Sequence, residues 1–158
     1  MVDWLADDAL EPPDVARCAP FRHAADQGRL VLPGCRACDT ALELDQVACH
    51  GCAQTDDVVW RDVPLLGHVH AASWIHRVSP AQILTDRPYP LLDIEFADGH
   101  RLVLTTTSAT TAVPPVGAAV RIAFRRVANT ALPAVDLDDW ARNKATLSRQ
   151  GEGRPGGA

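Results

Sequence analysis

Cys35-Arg36-Ala37-Cys38 and, ten residues further on, Cys49-His50-Gly51-Cys52 are the most informative stretch of this chain. Two residues between thiols let a tight turn aim both sulfurs at one point. Two such turns facing each other make the four-sulfur tetrahedron that zinc prefers, with Zn–S near ~2.3 Å. The ten-residue spacer accommodates a short hairpin. Disulfides are the competing use of four cysteines, but neighbours in a Cys-x2-Cys pair are poor structural disulfides and a reducing compartment opposes them. Iron in the same geometry would make a rubredoxin-like electron carrier, and spacing leaves that alternative open. A four-thiolate site is closed to water and substrate, so it supports folding and does no chemistry. His50, inside the second turn, reads as exposed. Cys18, the fifth cysteine, stands outside both pairs in a helix-compatible stretch and reads as a buried structural residue.

On the N-terminal side, residues 1–19 mix acids with Pro12-Pro13 as a loosely ordered arm in which Trp4, Leu5 and Leu10 are available to dock. Pro20 suits a first helical turn, Phe21 to Gln27 are helix-compatible, and Gly28 closes the turn. Arg29 to Pro33 then enter the cysteine module as a strand. On the C-terminal side, Thr55-Asp56-Asp57 mark a boundary, and the period becomes two. A β run covers Leu65 to Val78. Leu92, Ile94 and Phe96 alternate with Asp93 and Glu95, Asp98-Gly99 turns the chain tightly, and Arg101 to Thr107 return. Val120, Ile122 and Phe124 form another alternating strand. Four or five strands spaced by Pro/Gly loops predict a small closed barrel of OB-fold type. Asp138 is expected to cap a final helix through Trp140, Lys144 and Leu147. The glycine-rich end, 150–158, is expected to be disordered. The expected organisation is an arm and helix (1–28), a zinc ribbon (29–56), an OB-fold barrel (57–135), and a C-terminal helix and tail (136–158).

The composition narrows the function classes. No apolar run approaches the ~18 residues of a spanning helix. The start, Met1 to Asp8, is acidic where a secretory signal is basic, so a cytoplasmic protein with no membrane role is expected. The net charge of −5 lies in the first third of the chain, and the barrel region is close to neutral. Duplex binding releases counterions through a Lys/Arg surplus that is absent here, so nucleic acid is not expected as a partner.

No catalytic set stands out. His68, His70, Trp74 and His76 share strand parity, but they read as polar residues of a sheet face, and Gly67 suggests a bend that breaks the parity. Asp93 and Glu95 share the face opposite the apolar one and read as solvated. Ser73, Ser79 and Ser108 sit in no nucleophile elbow, and no Gly-rich phosphate loop follows a strand. Arg125 and Arg126, with Arg77 and Arg87, are the candidates for meeting the phosphates of a ligand, since guanidinium forks suit phosphate. Trp74 and Trp140 are candidates for a protein interface as much as for the core.

The order of features carries a resemblance: a short helix with Phe21 and Gly28-Arg29-Leu30, the four-cysteine turns, Trp60, Gly67-x-Val69, Trp74-Ile75-His76-Arg77, Pro88-Tyr89-Pro90, Asp98-Gly99, and Gly117-x-x-Val120-x-Ile122-x-Phe124. Over about residues 20–135 the chain resembles the acyl-CoA-associated OB-fold proteins with an N-terminal rubredoxin-like zinc ribbon. These are accessory subunits of thiolase-like enzymes, including the aldolases that shorten steroid side chains. The chain departs from that pattern after the second cysteine of each pair, where Asp39 and Ala53 stand in place of the usual glycine. It departs again before the third cysteine, where Gln46-Val47-Ala48 replaces a usual Pro-Arg.

The resemblance implies structural zinc on Cys35, Cys38, Cys49 and Cys52. It also implies a non-catalytic subunit that assembles with a thiolase-fold or ketosynthase-like partner acting on acyl-CoA thioesters. The partner would supply the reactive groups and bring the CoA thioester. The alternatives are a partner of a hot-dog-fold acyl-CoA hydratase, or a free-standing OB-fold binding module.

Overall fold

The computed structural model describes residues 5, 16–55, 57–76, 85, 87–138 and 140. A 3-10 turn (Ala16–Cys18) leads into helix α1 (Ala19–Asp26), with Pro20 in its first turn, where a missing N–H costs nothing. Gly28 ends the helix at φ +71°. Its N–H donates to the Ala25 carbonyl, and the Arg29 N–H donates to the Ala24 carbonyl, both at 2.9 Å. This is the Schellman closure that only a residue tolerant of left-handed backbone makes without strain. Phe21, Ala24 and Ala25 are the buried face of α1.

Strand β1 (Leu30–Cys35) follows and pairs antiparallel with β2 (Val58–Val63), in register from Leu30↔Val63 to Cys35↔Val58. The chain between them, holding both cysteine turns, is thus an excursion from a two-stranded stem. The stem contains residues from both sides of the Thr55–Asp57 segment.

The remaining strands, β3 (Leu66–Ile75), β4 (Tyr89–Glu95), β5 (Arg101–Leu104), β6 (Ala119–Val127) and β7 (Thr130–Val135), form one sheet in the order β5-β4-β3-β6-β7. The sheet curls until its ends meet. Thr106, just past β5, bridges Val135 in parallel, and Val135 N–H donates to Thr105 while Thr107 N–H donates to Val135. Four antiparallel pairings and one short parallel closure are the OB-fold arrangement. The mainly β architecture is therefore as expected: short helix, four-cysteine module, small barrel.

Alternation decides which side chains fill the barrel. Leu92 and Ile94 are fully buried, while their neighbours Asp93 and Glu95 face outward. Val69, Phe96, Leu104, Val120, Ile122 and Val135 join them. The same cluster takes in Phe21, Leu30, Leu32 and Val63, so helix, stem and barrel share one core. Gly67 makes room where β3 crosses β4: a Cβ there would lie 2.6 Å from Ile94 Cγ2 and 2.9 Å from the Glu95 carbonyl.

Three local expectations change. The β4–β5 connection is a three-residue loop, Ala97-Asp98-Gly99, with Phe96 and His100 paired across it and Gly99 at φ +88°. The glycine thus occupies the left-handed bulge position of a longer hairpin instead of a two-residue turn. β3 carries a register shift between Val69 and Ala71. This breaks the shared parity of its histidines at the bulge and not at Gly67. At the C-terminus, Leu137, Asp138 and Trp140 are helical, and Asp136 Oδ1 accepts the Asp138 N–H at 3.0 Å. Asp136 is therefore the cap in place of Asp138, because Leu137 is drawn into the core and the helix starts one turn position earlier. The rest of that helix, the glycine-rich end, and the arm apart from Leu5 lie outside the described residues. Among the described residues, no helix is long and apolar enough to cross a membrane.

Candidate metal centre

The two cysteine turns are built alike. Cys35 N–H donates to the Thr40 carbonyl (2.9 Å) and Asp39 N–H donates back to the Cys35 carbonyl (3.0 Å). In the second turn, Cys49 N–H donates to Gln54 (2.8 Å) and Ala53 N–H to Cys49 (2.8 Å). Closing each loop this way requires a left-handed residue after the second cysteine. Asp39 (φ 59°) and Ala53 (φ 62°) adopt it despite their Cβ atoms. Gly51 matters for a different reason: a Cβ there would come within 2.7 Å of Thr40 Oγ1 and displace the hydroxyl that sits 3.1 Å from Cys38 Sγ.

The geometry brings Cys35 Sγ to 3.6 Å from Cys52 Sγ, and Cys38 Sγ to 3.5 Å from Cys49 Sγ. All four sulfurs lie within 4.8 Å of one another, and all are free thiols. A tetrahedron with metal–sulfur bonds of ~2.3 Å has edges of about 3.8 Å, so this donor set fits a single ion. Cys35 and Cys49 are buried against Leu42 and Val58, whereas Cys38 and Cys52 face solvent. The site therefore ties an inner layer to an outer one.

The thiols are unequal. The Thr40 hydroxyl, 3.1 Å from Cys38 Sγ, and the Thr40 backbone lower the Cys38 thiol to about 6. At Cys52 a backbone hydrogen bond from Gln54 favours the thiolate, but the crowding sulfurs, Cys38 foremost, together with desolvation push it up to about 12. Clustered sulfurs resist collective ionisation until a cation supplies the opposing charge. His50 is exposed, with Nδ1 3.1 Å from Gln46 Nε2, and lies outside this set. Cys18 is half-buried, its Sγ 3.7 Å from the Leu44 carbonyl.

The other candidates are scattered. Arg77 lies outside the described residues. Arg125 and Arg126 are neighbours on β6 and so project to opposite faces. Arg125 is half-buried beside an apolar cavity of about 390 Å³ into which Leu5 and Phe21 also project. Arg126 is exposed, donating to the Asn129 carbonyl at 2.8 Å with Asp26 at 3.7 Å. Arg87 lines a separate cavity of about 730 Å³ with Trp74, His76 and Thr110. His68, His70 and His76 are exposed, and His70 Nδ1 lies 3.5 Å from Glu95. Asp93 is engaged by both Nε and a terminal nitrogen of Arg101. Trp140 packs on the core.

Two residues important to the module were not singled out by the sequence. Arg61 donates to the Cys35 carbonyl (3.2 Å) and to Asp39 Oδ1 (2.7 Å). His100 is buried between ribbon and barrel. An arginine in a strand and a histidine after a turn carry no local signal of such roles. Thr40, two residues after Cys38, is a signal that hydroxyl–thiolate chemistry makes readable.

No family model matches the chain, and no curated protein matches it. Among solved structures, a chain of the one titled "Ltp2-ChsH2(DUF35) aldolase" is similar, with a TM-score of 0.67 and 24% sequence identity, over 80% of this chain and 98% of that one. At that identity the likeness establishes the fold.

Proposed function

We propose that this chain is a non-catalytic accessory subunit that assembles with a thiolase-fold partner acting on acyl-CoA thioesters, in carbon–carbon bond cleavage or formation of the aldolase or thiolase type. The observation that supports this reading is that the likeness to a chain of the aldolase structure covers 80% of this chain and 98% of that one, more than a ribbon or a barrel alone would span. A ribbon alone or a barrel alone is shared by proteins of many functions. The four sulfurs support zinc as the resident metal, because four thiolates suit its tetrahedral preference and leave no position for substrate. When bound, the ion cross-links the two turns. The chain's own residues shape and hold the ribbon: Arg61 ties the Cys35 carbonyl to Asp39, and Thr40 steadies the Cys38 thiolate. The CoA thioester is held by the partner's site.

The test is co-expression with a thiolase-fold subunit from the same cell, followed by native mass spectrometry and an aldol-cleavage assay on an acyl-CoA. The expected result is a heteromeric complex carrying one zinc per chain, active only when both subunits are present. Full activity of the partner alone overturns the accessory role. A coloured, iron-loaded chain overturns zinc.

A further inference from the structure

His100 is one of only three buried polar or charged side chains among the described residues, at 5% exposure. It follows the β4–β5 turn and reaches out of the barrel into the ribbon stem. Its Nε2 lies 2.6 Å from the Pro33 carbonyl oxygen and its Nδ1 2.8 Å from Asp98 Oδ2. A carbonyl only accepts, so Nε2 is the donor. Asp98 also accepts the His100 backbone N–H at 3.2 Å, which holds ring and turn together.

The Pro33 oxygen is the root of the first cysteine loop. It accepts the Leu42 N–H at 3.0 Å, and the next residues on each side, Gly34 and Ala41, form a β-bridge. Residues 33–42 are thereby tied into a closed loop that contains Cys35 and Cys38. Leu42 packs against Cys35 and Cys49. One oxygen atom thus closes the loop that presents two of the sulfurs and receives the barrel's hairpin.

We propose that His100 is a positioning residue that couples the four-cysteine site to the β4–β5 hairpin. Metal binding steadies the 33–42 loop, and the Pro33–His100 hydrogen bond passes that restraint to residues 96–101. The inference rests on the metal reading above and goes beyond it. Coupling of this kind is reciprocal, so removing the Nε2 donor weakens metal binding by the factor by which metal steadies the hairpin.

The experiment uses the full chain, its His100→Phe and His100→Gln variants, and His68→Gln as a control at an exposed histidine. Affinity for Zn(II) is measured by chelator competition, and amide exchange at Leu42, Phe96 and Gly99 is followed with and without Zn(II). His100→Phe should weaken Zn(II) binding severalfold and by no more than about tenfold, because the coupling cannot exceed the worth of the one hydrogen bond that carries it. His100→Gln, which retains an N–H donor, should lose less, and His68→Gln nothing. Zn(II) should slow exchange at Phe96 and Gly99 in the unaltered chain. Zinc uptake with unchanged hairpin exchange overturns the coupling alone, and no zinc uptake overturns it together with the metal reading. If His100→Phe does not fold, exchange in the unaltered chain and the His100→Gln affinity still decide.

Discussion

Replacing Ala53 by glycine should stabilise the protein, against the usual direction of a mutation to glycine. Ala53 is exposed and sits at φ 62° with its N–H donating to Cys49, so the substitution removes no packing and keeps the turn's hydrogen bond. A Cβ in left-handed backbone costs roughly 1–2 kcal/mol. Against this, glycine raises the entropy of the unfolded chain by about 0.4–1 kcal/mol. The net gain is about 1 kcal/mol, which for a chain of 158 residues is a rise in Tm of about 3 °C.

The matched substitution Asp39→Gly relieves the same geometry (φ 59°) but removes the acceptor of Arg61, and Asp tolerates this backbone better than Ala. Its gain should vanish. The assay is thermal unfolding of the metal-loaded chain for both variants. If Ala53→Gly lowers Tm, or if the two variants respond alike, the strain assigned to the second turn is wrong.

Gly67→Ala should destabilise by about 1–3 kcal/mol in urea unfolding, because the new methyl meets Ile94 and the Glu95 backbone inside the barrel. Leu92→Ala, at a fully buried site in the shared core, should cost about 2–5 kcal/mol by the same measurement. In the metal-free chain, Cys38 is lowered to about 6 and Cys52 raised to about 12, so the Cys38 thiolate forms first as pH rises. Iodoacetamide at neutral pH should modify Cys38 well before Cys52, although both are exposed, and peptide mass mapping reads the order. Cys35→Ser should abolish stoichiometric metal uptake and expose the Leu42 amide to exchange, since it breaks the set at its most buried ligand.

The elements legible beforehand are those whose cause is local. Gly28 ends α1 because left-handed backbone is needed there, and the alternation of Leu92, Ile94 and Phe96 marks which face is buried, whatever the sheet order. The cysteine spacing reads as a ligand set because a Cys-x2-Cys turn brings its own two sulfurs together. What escaped depends on distant residues. The stem pairs Leu30 with Val63, and its strands read individually say nothing of the partner. Asp136 displaces Asp138 as cap because Leu137 is pulled into a core assembled from the whole chain. The same alternation that defines β6 separates Arg125 from Arg126, which adjacency in sequence had suggested as a pair.

Sequence by itself determined the donor atoms, the strand faces and the glycines that end α1 and turn the β4–β5 hairpin, since each follows from chemistry within a few residues. Only the tertiary structure decided that two turns meet sulfur to sulfur, that Thr106 closes the barrel onto Val135, and that His100 reaches Pro33 across 67 residues of chain. Those contacts are selected by the one arrangement in which helix, stem and barrel bury their apolar faces together, and no local pattern encodes that arrangement.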